Sequence, residues 1–207
     1  WRQASSGTDR GNSKEESTVS VQPYSRTQVV QPPAREFWCR DLVSSRDLSP
    51  SEVATVLNLT AVVKARPADF RHALAGKQMA MFLEKPSLRT RLTFEAGMAS
   101  LGGSVSFVDQ THERLGARET LSDVAHNVER WFQVIVLRTF AHATIEGMAE
   151  HSSVPVINAL SDLEHPCQAL ADYFTLQERF GNLKKVCLAF VGDGNNVAHS
   201  LLLTCAN

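Results

Sequence analysis

The sequence predicts an α/β protein: a parallel sheet flanked by helices, followed by the first βα unit of a second α/β domain. Three observations carry this. Strand-like apolar runs recur at residues 78–83, 104–108, 134–138, 154–159 and 185–191, and helical patterns separate them. Capping signals open the helices. The chain shows no internal repeat or low-complexity array that would suggest a solenoid.

Taken in order, residues 1–35 contain no Leu, Ile, Met or Phe and are rich in Ser, Gln, Thr and Arg. Such a composition buries too little apolar surface to order itself, so a disordered tail is expected there. Asp9, Glu15 and Glu16 fit a transit peptide poorly. A first domain is expected over 36–167. Ser49-Pro50-Ser51-Glu52 is a capping box with Pro at the first helical position, opening a helix that ends before Pro67. Met79–Leu83 reads as a buried strand, and Leu92, Phe94, Ala96, Met98, Ala99 and Leu101 as a helix closed by Gly102-Gly103. A linking helix is expected over 168–184. Lys185–Gly192 reads as the first strand of a second, incomplete domain over 185–207.

Composition bounds the partners. The chain has 207 residues, 43% hydrophobic and 21% charged, with net charge −1, an ordinary globular balance. No basic stripe supports nucleic acid as a partner. The apolar runs fall far short of the roughly 20 residues that span a bilayer. Cys39, Cys167, Cys187 and Cys205 are scattered without metal-ligand spacing, so no metal is expected and reduced thiols in a cytoplasmic protein are. Cys167 reads as a small packed residue in a turn rather than a nucleophile.

The chemistry concentrates where strands hand over to helices. Lys85-Pro86-Ser87 turns the first strand into a helix carrying Arg89 and Arg91 in its first turn. Free N–H groups and the positive dipole end attract an anion there, and guanidinium forks add charge and bidentate geometry. Cations at a helix N-terminus are electrostatically misplaced unless an anion sits with them; simple solvation of both arginines is the alternative. His165-Pro166-Cys167-Gln168 occupies an equivalent handover after the run Val154–Leu160. A His can donate to a developing oxyanion and a Gln can accept from an NH₂ group, although a His beside Pro is also an ordinary structural residue. Arg138 ends the strand Val134–Leu137, either snorkelling to water or holding a ligand. Three strand ends thus offer a phosphate cradle, a carbonyl polariser and an amide acceptor.

These segments carry a resemblance. Phe82–Arg91 resembles the Ser-Thr-Arg-Thr-Arg phosphate segment of the aspartate/ornithine carbamoyltransferase family, and Leu163–Asp172 its His-Pro-Cys-Gln motif. Leu115-Gly116-Ala117-Arg118-Glu119-Thr120 and Gly192-Asp193-Gly194-Asn195-Asn196 are similar to segments of its ornithine branch. The likeness runs over about 36–207 in the family's order. It implies transfer of the carbamoyl group from carbamoyl phosphate to the δ-amine of L-ornithine, giving citrulline and phosphate, a step of arginine biosynthesis or the urea cycle. By the same resemblance, Ser87, Leu88, Arg89 and Thr90 bind the phosphate. Arg138 and His165 contact the carbamoyl oxygen, Gln168 holds the carbamoyl NH₂, and Asn196 helps bind ornithine. Arg89, Arg138 and His165 are the implied catalytic residues. No cofactor or metal is implied. The family implies a homotrimer in the cytoplasm, or in the mitochondrial matrix of a eukaryote.

Two departures bear on specificity. Leu88 stands where many members have Thr, which keeps the N–H and loses a hydroxyl. Ser-Leu-Arg-Thr-Arg is also similar to carbamoyltransferases acting on N-acylated ornithine, so N-acylornithine, putrescine and aspartate stand as alternative acceptors. Arg114 occupies a position where relatives carry His or Gln reaching into a neighbouring subunit. Further ornithine ligands and a Cys-Leu-Pro segment of the family would lie beyond Asn207, so the 207-residue chain is expected to bind carbamoyl phosphate without turnover. A nucleotide- or anion-binding module built on Gly192–Asn196 is the rival reading. Val197 stands where a dinucleotide fingerprint needs its third Gly.

Overall fold

The computed structural model describes residues 41–206. The expected disordered tail and the first residues of the first domain lie outside them. Six α-helices and four strands follow in the order α1 (Pro50–Ala65), β1 (Gln78–Leu83), α2 (Leu88–Ser100), β2 (Ser104–Asp109), α3 (Leu121–Val128), β3 (Val134–Arg138), α4 (His142–His151), β4 (Val156–Leu160), α5 (Pro166–Phe180) and α6 (Asn196–Ala206).

The capping box forms as the sequence requires. Ser49 Oγ accepts the Glu52 N–H at 3.4 Å, and Glu52 Oε2 accepts the Ser49 N–H at 2.7 Å. At the end of α2, Gly102 adopts φ 88°, where a Cβ would stand 2.6 Å from the Arg71 carbonyl oxygen, so only glycine fits the turn into β2. β4 starts after Pro155, two residues later than the apolar run suggested, because Pro has no N–H for the ladder. α5 likewise starts at Pro166 rather than 168, since the first helical turn tolerates Pro, and ends at Gly181 with φ 73°.

All strand pairs are parallel, in the order β2-β1-β3-β4. The apolar residues split by strand parity. Ala80, Phe82, Ile135 and Leu137 pack under α3 and α4 with Ala125, Val128, Ile145 and Met148. Met79, Met81, Leu83 and Val136 face the other way, towards Met98 of α2. A third cluster of Leu57, Ala169, Tyr173, Phe174 and Leu201 joins α1, α5 and α6. Because α2 leaves β1 on one face and α4 leaves β3 on the other, the order reverses between these neighbouring strands. In open α/β sheets such a reversal is where a ligand crevice forms, at the carboxyl ends of the two strands.

The expected fifth strand is corrected. Among the described residues, 186–191 pair with no neighbour. A strand needs a partner for its ladder, and this apolar segment has none: Leu188, Phe190 and Val191 are exposed. Of the βα unit expected over 185–207, the described residues show the helix α6. No helix among the described residues is long and apolar enough to cross a membrane.

Candidate active site

The crevice is built from the ends of β1, β3 and β4. Ser87 is the N-cap of α2, with extended φ −155° and ψ 101°. Its Oγ accepts the Thr90 N–H at 3.4 Å and donates to Thr90 Oγ1 at 2.9 Å. The Leu88 and Arg89 N–H groups lie in the first turn of the helix and have no place in the intrahelical ladder, which leaves them available to an anion. Arg138 arrives from β3 and donates from Nη1 to Thr90 Oγ1 at 3.3 Å. The Ser87–Thr90 turn and the strand-end arginine therefore meet. Accepting from both Ser87 and Arg138 leaves the Thr90 hydroxyl proton free for a ligand.

Arg138 is half-buried, and burial holds its guanidinium below the ordinary pKa. Its buried Nε has no hydrogen-bond partner among the described residues, and neither has His165 Nδ1. Such groups are costly to leave unpaired, and both belong to residues at the mouth of the crevice. Arg89 is exposed, and no described residue pairs with it. Arg91 differs from expectation: its Nε pairs with Glu95 at 2.9 Å and its guanidinium stacks 4.0 Å from the Phe107 ring centre, so it serves α2 and β2 rather than the cradle.

His165 is the N-cap of α5, at φ −140° and ψ 66°. Burial, then the positive charge of Arg138, lower its pKa to about 4, against a smaller pull from Asp172. At neutral pH it is an uncharged imidazole that can donate without repelling Arg138. The consequence for stability has a definite sign. Unfolded His titrates near pH 6.5, so the unfolded chain binds the extra proton first. Stability is unaffected above pH 6.5 and falls as pH drops from there to about 4. Chemical denaturation across pH 4–7 is expected to show this loss, and His165→Gln to remove His165's share of it.

Gln168 donates from Nε2 to Asp172 Oδ1 at 2.8 Å, which fixes the amide and leaves its oxygen available to an NH₂ donor. Cys167 is packed, its thiol bonded towards the Asn158 carbonyl oxygen at 3.4 Å and pushed up to about 12 by burial, so it is no nucleophile. Asn196 begins α6 and donates from Nδ2 to the Ser161 carbonyl oxygen at the end of β4. Asn196 thereby lies beside the end of β4. Asn195 caps α6, accepting N–H groups from Val197 and Ala198 at 3.0 and 3.1 Å.

Sequence reasoning gave no role to two buried acids that organise this region. Glu84 accepts the Leu115 N–H at 3.1 Å and the Phe140 N–H at 2.9 Å, tying the β2–α3 loop to the ends of β1 and β3. Glu164 accepts the Ser44 hydroxyl at 2.7 Å and the Ser45 N–H at 2.8 Å. Each directly precedes a motif residue, and a carboxylate beside an apolar strand end is the one signal that could have marked them. Nearby, Lys85 Nζ and the Arg114 guanidinium lie 4.6 and 4.7 Å from the Phe140 ring centre. Arg114 also lines a shallow cavity of about 240 Å³ with Gln110, Gly116 and Arg118. Among the described residues no group of His, Cys, Asp and Glu is arranged to hold a metal ion.

Arg138 is bonded to Thr90, its charge acts on His165, and Gln168 sits in the first turn of the helix that His165 caps, so donors and an amide acceptor are neighbours here. Known proteins match this geometry. The chain is 51% identical to the ornithine carbamoyltransferase of Vibrio sp. (strain 2693), over 79% of this chain and 54% of that one. It is 49% identical to that of Shewanella oneidensis, over 81% and 56%. Among solved structures, the ornithine carbamoyltransferase of Pyrococcus furiosus superposes with a TM-score of 0.78 at 41% identity, over 81% of this chain and 54% of that one. That of Thermus thermophilus gives 0.74 at 47%, over 78% and 56%. The chain spans about half the length of these relatives. Residues 40–178 match the carbamoyl-P binding domain of the aspartate/ornithine carbamoyltransferases, and on that match the chain belongs to this family.

Proposed function

We propose that this chain is the carbamoyl phosphate half of an ornithine carbamoyltransferase, transferring the carbamoyl group to the δ-amine of L-ornithine. The observation that carries the reading is the meeting of the Ser87–Thr90 helix start with Arg138, at 3.3 Å from Thr90 Oγ1, in the crevice where the strand order reverses. The phosphate sits on the N–H groups of Leu88 and Arg89, the Thr90 hydroxyl and the Arg89 guanidinium, and the Ser87 hydroxyl turns its proton from Thr90 to the bound ligand. Arg138 spans phosphate and carbamoyl oxygen, neutral His165 donates to that oxygen, and the Gln168 oxygen accepts from the carbamoyl NH₂. The uncharged δ-amine attacks the carbamoyl carbon, a C–N bond forms, the C–O bond breaks with its electron pair leaving on phosphate, and the proton released by the amine passes to that departing phosphate. Charge building on the carbonyl oxygen meets fixed donors, each contributing about 3 kcal/mol to transition-state stabilisation. Asn196, at the start of α6, holds the amino-acid end of ornithine.

The relatives' names support ornithine as acceptor. A homotrimer is carried over from the family resemblance alone. Free Cys167, Cys187 and Cys205 support a reducing compartment, the cytoplasm or the mitochondrial matrix. The test uses the polypeptide continued through the length of its relatives, supplied with carbamoyl phosphate and ornithine, N-acetylornithine, putrescine or aspartate. Citrulline from ornithine alone is expected. Arg89→Ala is expected to lower kcat/KM by about a hundredfold, since it removes a charged phosphate contact. Product from another amine would overturn the acceptor, and no product from any amine the reaction.

A further inference from the structure

His165 has no side-chain cap of its own, yet its backbone is held from a distant part of the chain. Its N–H donates to Ser200 Oγ on α6 at 2.8 Å. Ser200 is fully buried, and its hydroxyl donates in turn to Glu164 Oε2 at 3.2 Å. With its proton on Glu164, Ser200 has only lone pairs to offer His165, so the direction of this short relay is fixed. Glu164 is itself pinned by the Ser44 hydroxyl and the Ser45 N–H. Burial alone would raise its carboxyl, but these donors outweigh burial and hold it below the ordinary range, so the acceptor stays charged. A second tie closes the same turn: His199 Nδ1, one residue before Ser200, lies 3.2 Å from the Leu163 carbonyl oxygen. The first helix of the second unit thus sets where the imidazole stands in the first.

We propose that Glu164 and Ser200 are positioning residues that aim His165 at the carbamoyl oxygen and make its placement depend on the seating of α6. This deepens the proposed carbamoyl transfer and rests on it for the role of His165. Neither residue touches the phosphate cradle of Ser87–Thr90, which hangs on β1 and α2. Loss of the relay is therefore felt at the carbamoyl end of the ligand and not at the phosphate end. A general loosening of the fold would weaken both.

The test compares the unaltered 207-residue chain with Ser200→Ala and Glu164→Gln, each first checked for a cooperative melt. The His165 imidazole is titrated by NMR without ligand, its signal assigned by its absence in His165→Gln. Carbamoyl phosphate and inorganic phosphate are then titrated calorimetrically. In the unaltered chain His165 is expected to titrate at about 4. In both variants the midpoint moves upward as the ring leaves its buried seat beside Arg138. The carbamoyl phosphate Kd rises about fivefold, the size of one lost hydrogen bond, while that of inorganic phosphate stays within about twofold. An unmoved His165 midpoint, or parallel weakening of both ligands, overturns the positioning role. If one variant fails to fold, the other decides. Should the unaltered chain bind inorganic phosphate but not carbamoyl phosphate, the carbamoyl transfer reading falls, while the His165 titration still judges the relay.

Discussion

Arg138→Met is expected to weaken carbamoyl phosphate binding by roughly two orders of magnitude while leaving the melting temperature unchanged or slightly higher. Hydrogen bonds from a charged donor contribute about 1.5–3 kcal/mol each, and two of them, to phosphate and carbamoyl oxygen, correspond to about a hundredfold or more. The stability side follows from the site as it stands. Among the described residues Arg138 makes one long hydrogen bond, to Thr90 at 3.3 Å, and its buried Nε has no partner there. The guanidinium is desolvated without compensation, which depresses its pKa. Met keeps the apolar stem between Leu137 and the crevice and removes the uncompensated charge. Calorimetric titration and thermal melts on one sample separate the two effects. A large drop in stability would mean that Arg138 is a structural residue, and unchanged affinity that the ligand sits elsewhere.

Glu84→Ala is expected to show the opposite profile, a stability loss of about 2 kcal/mol in the absence of any ligand. Removing the carboxylate leaves the Leu115 and Phe140 N–H groups without their acceptor. An unsatisfied buried donor costs about 1–3 kcal/mol, and these two, only partly buried, fall toward the low end. Glu84→Gln keeps one acceptor oxygen and is expected to lose about half as much. Urea unfolding checks this: the midpoint moves while the slope stays constant, as for a change confined to the native state. Because Glu84 also fixes the loop from β2 to α3, protease cleavage within 110–120 is expected to quicken in the Ala variant. Equal stability of all three proteins would remove Glu84 from the account.

The sequence made most of the sheet and the helix starts legible because those signals are local. The run Met79–Leu83 is apolar at every position, as a strand covered on both faces must be. Ser49 and Glu52 announce a helix within four residues. The turn from β1 into α2 was legible for the same reason, since strand, turn and helix start are contiguous at 78–91. The run at 185–191 shows what periodicity leaves out: it measures apolar character, not the presence of a neighbouring strand. For Arg91 the sequence reading weighed only an anion or solvent, although Glu95, at i+4, was a visible partner on the same helix face. Glu84 and Glu164 were harder. Their donors are backbone N–H groups or hydroxyls 31 to 120 residues away, and no pattern in one segment reports them. The dependence of His165 on Ser200 belongs to this class, because it exists only once α6 has packed against the turn before α5.

The most direct test of the central claim is a crystal structure of the chain with carbamoyl phosphate bound. The account predicts phosphate density on the Leu88 and Arg89 N–H groups between the Ser87 and Thr90 hydroxyls. The carbamoyl oxygen would lie within hydrogen-bond reach of Arg138 and His165, and the NH₂ group against the Gln168 oxygen. Ligand seated on the Gly192–Asn196 loop, or phosphate in the cradle with the carbamoyl group turned away from His165, would contradict it.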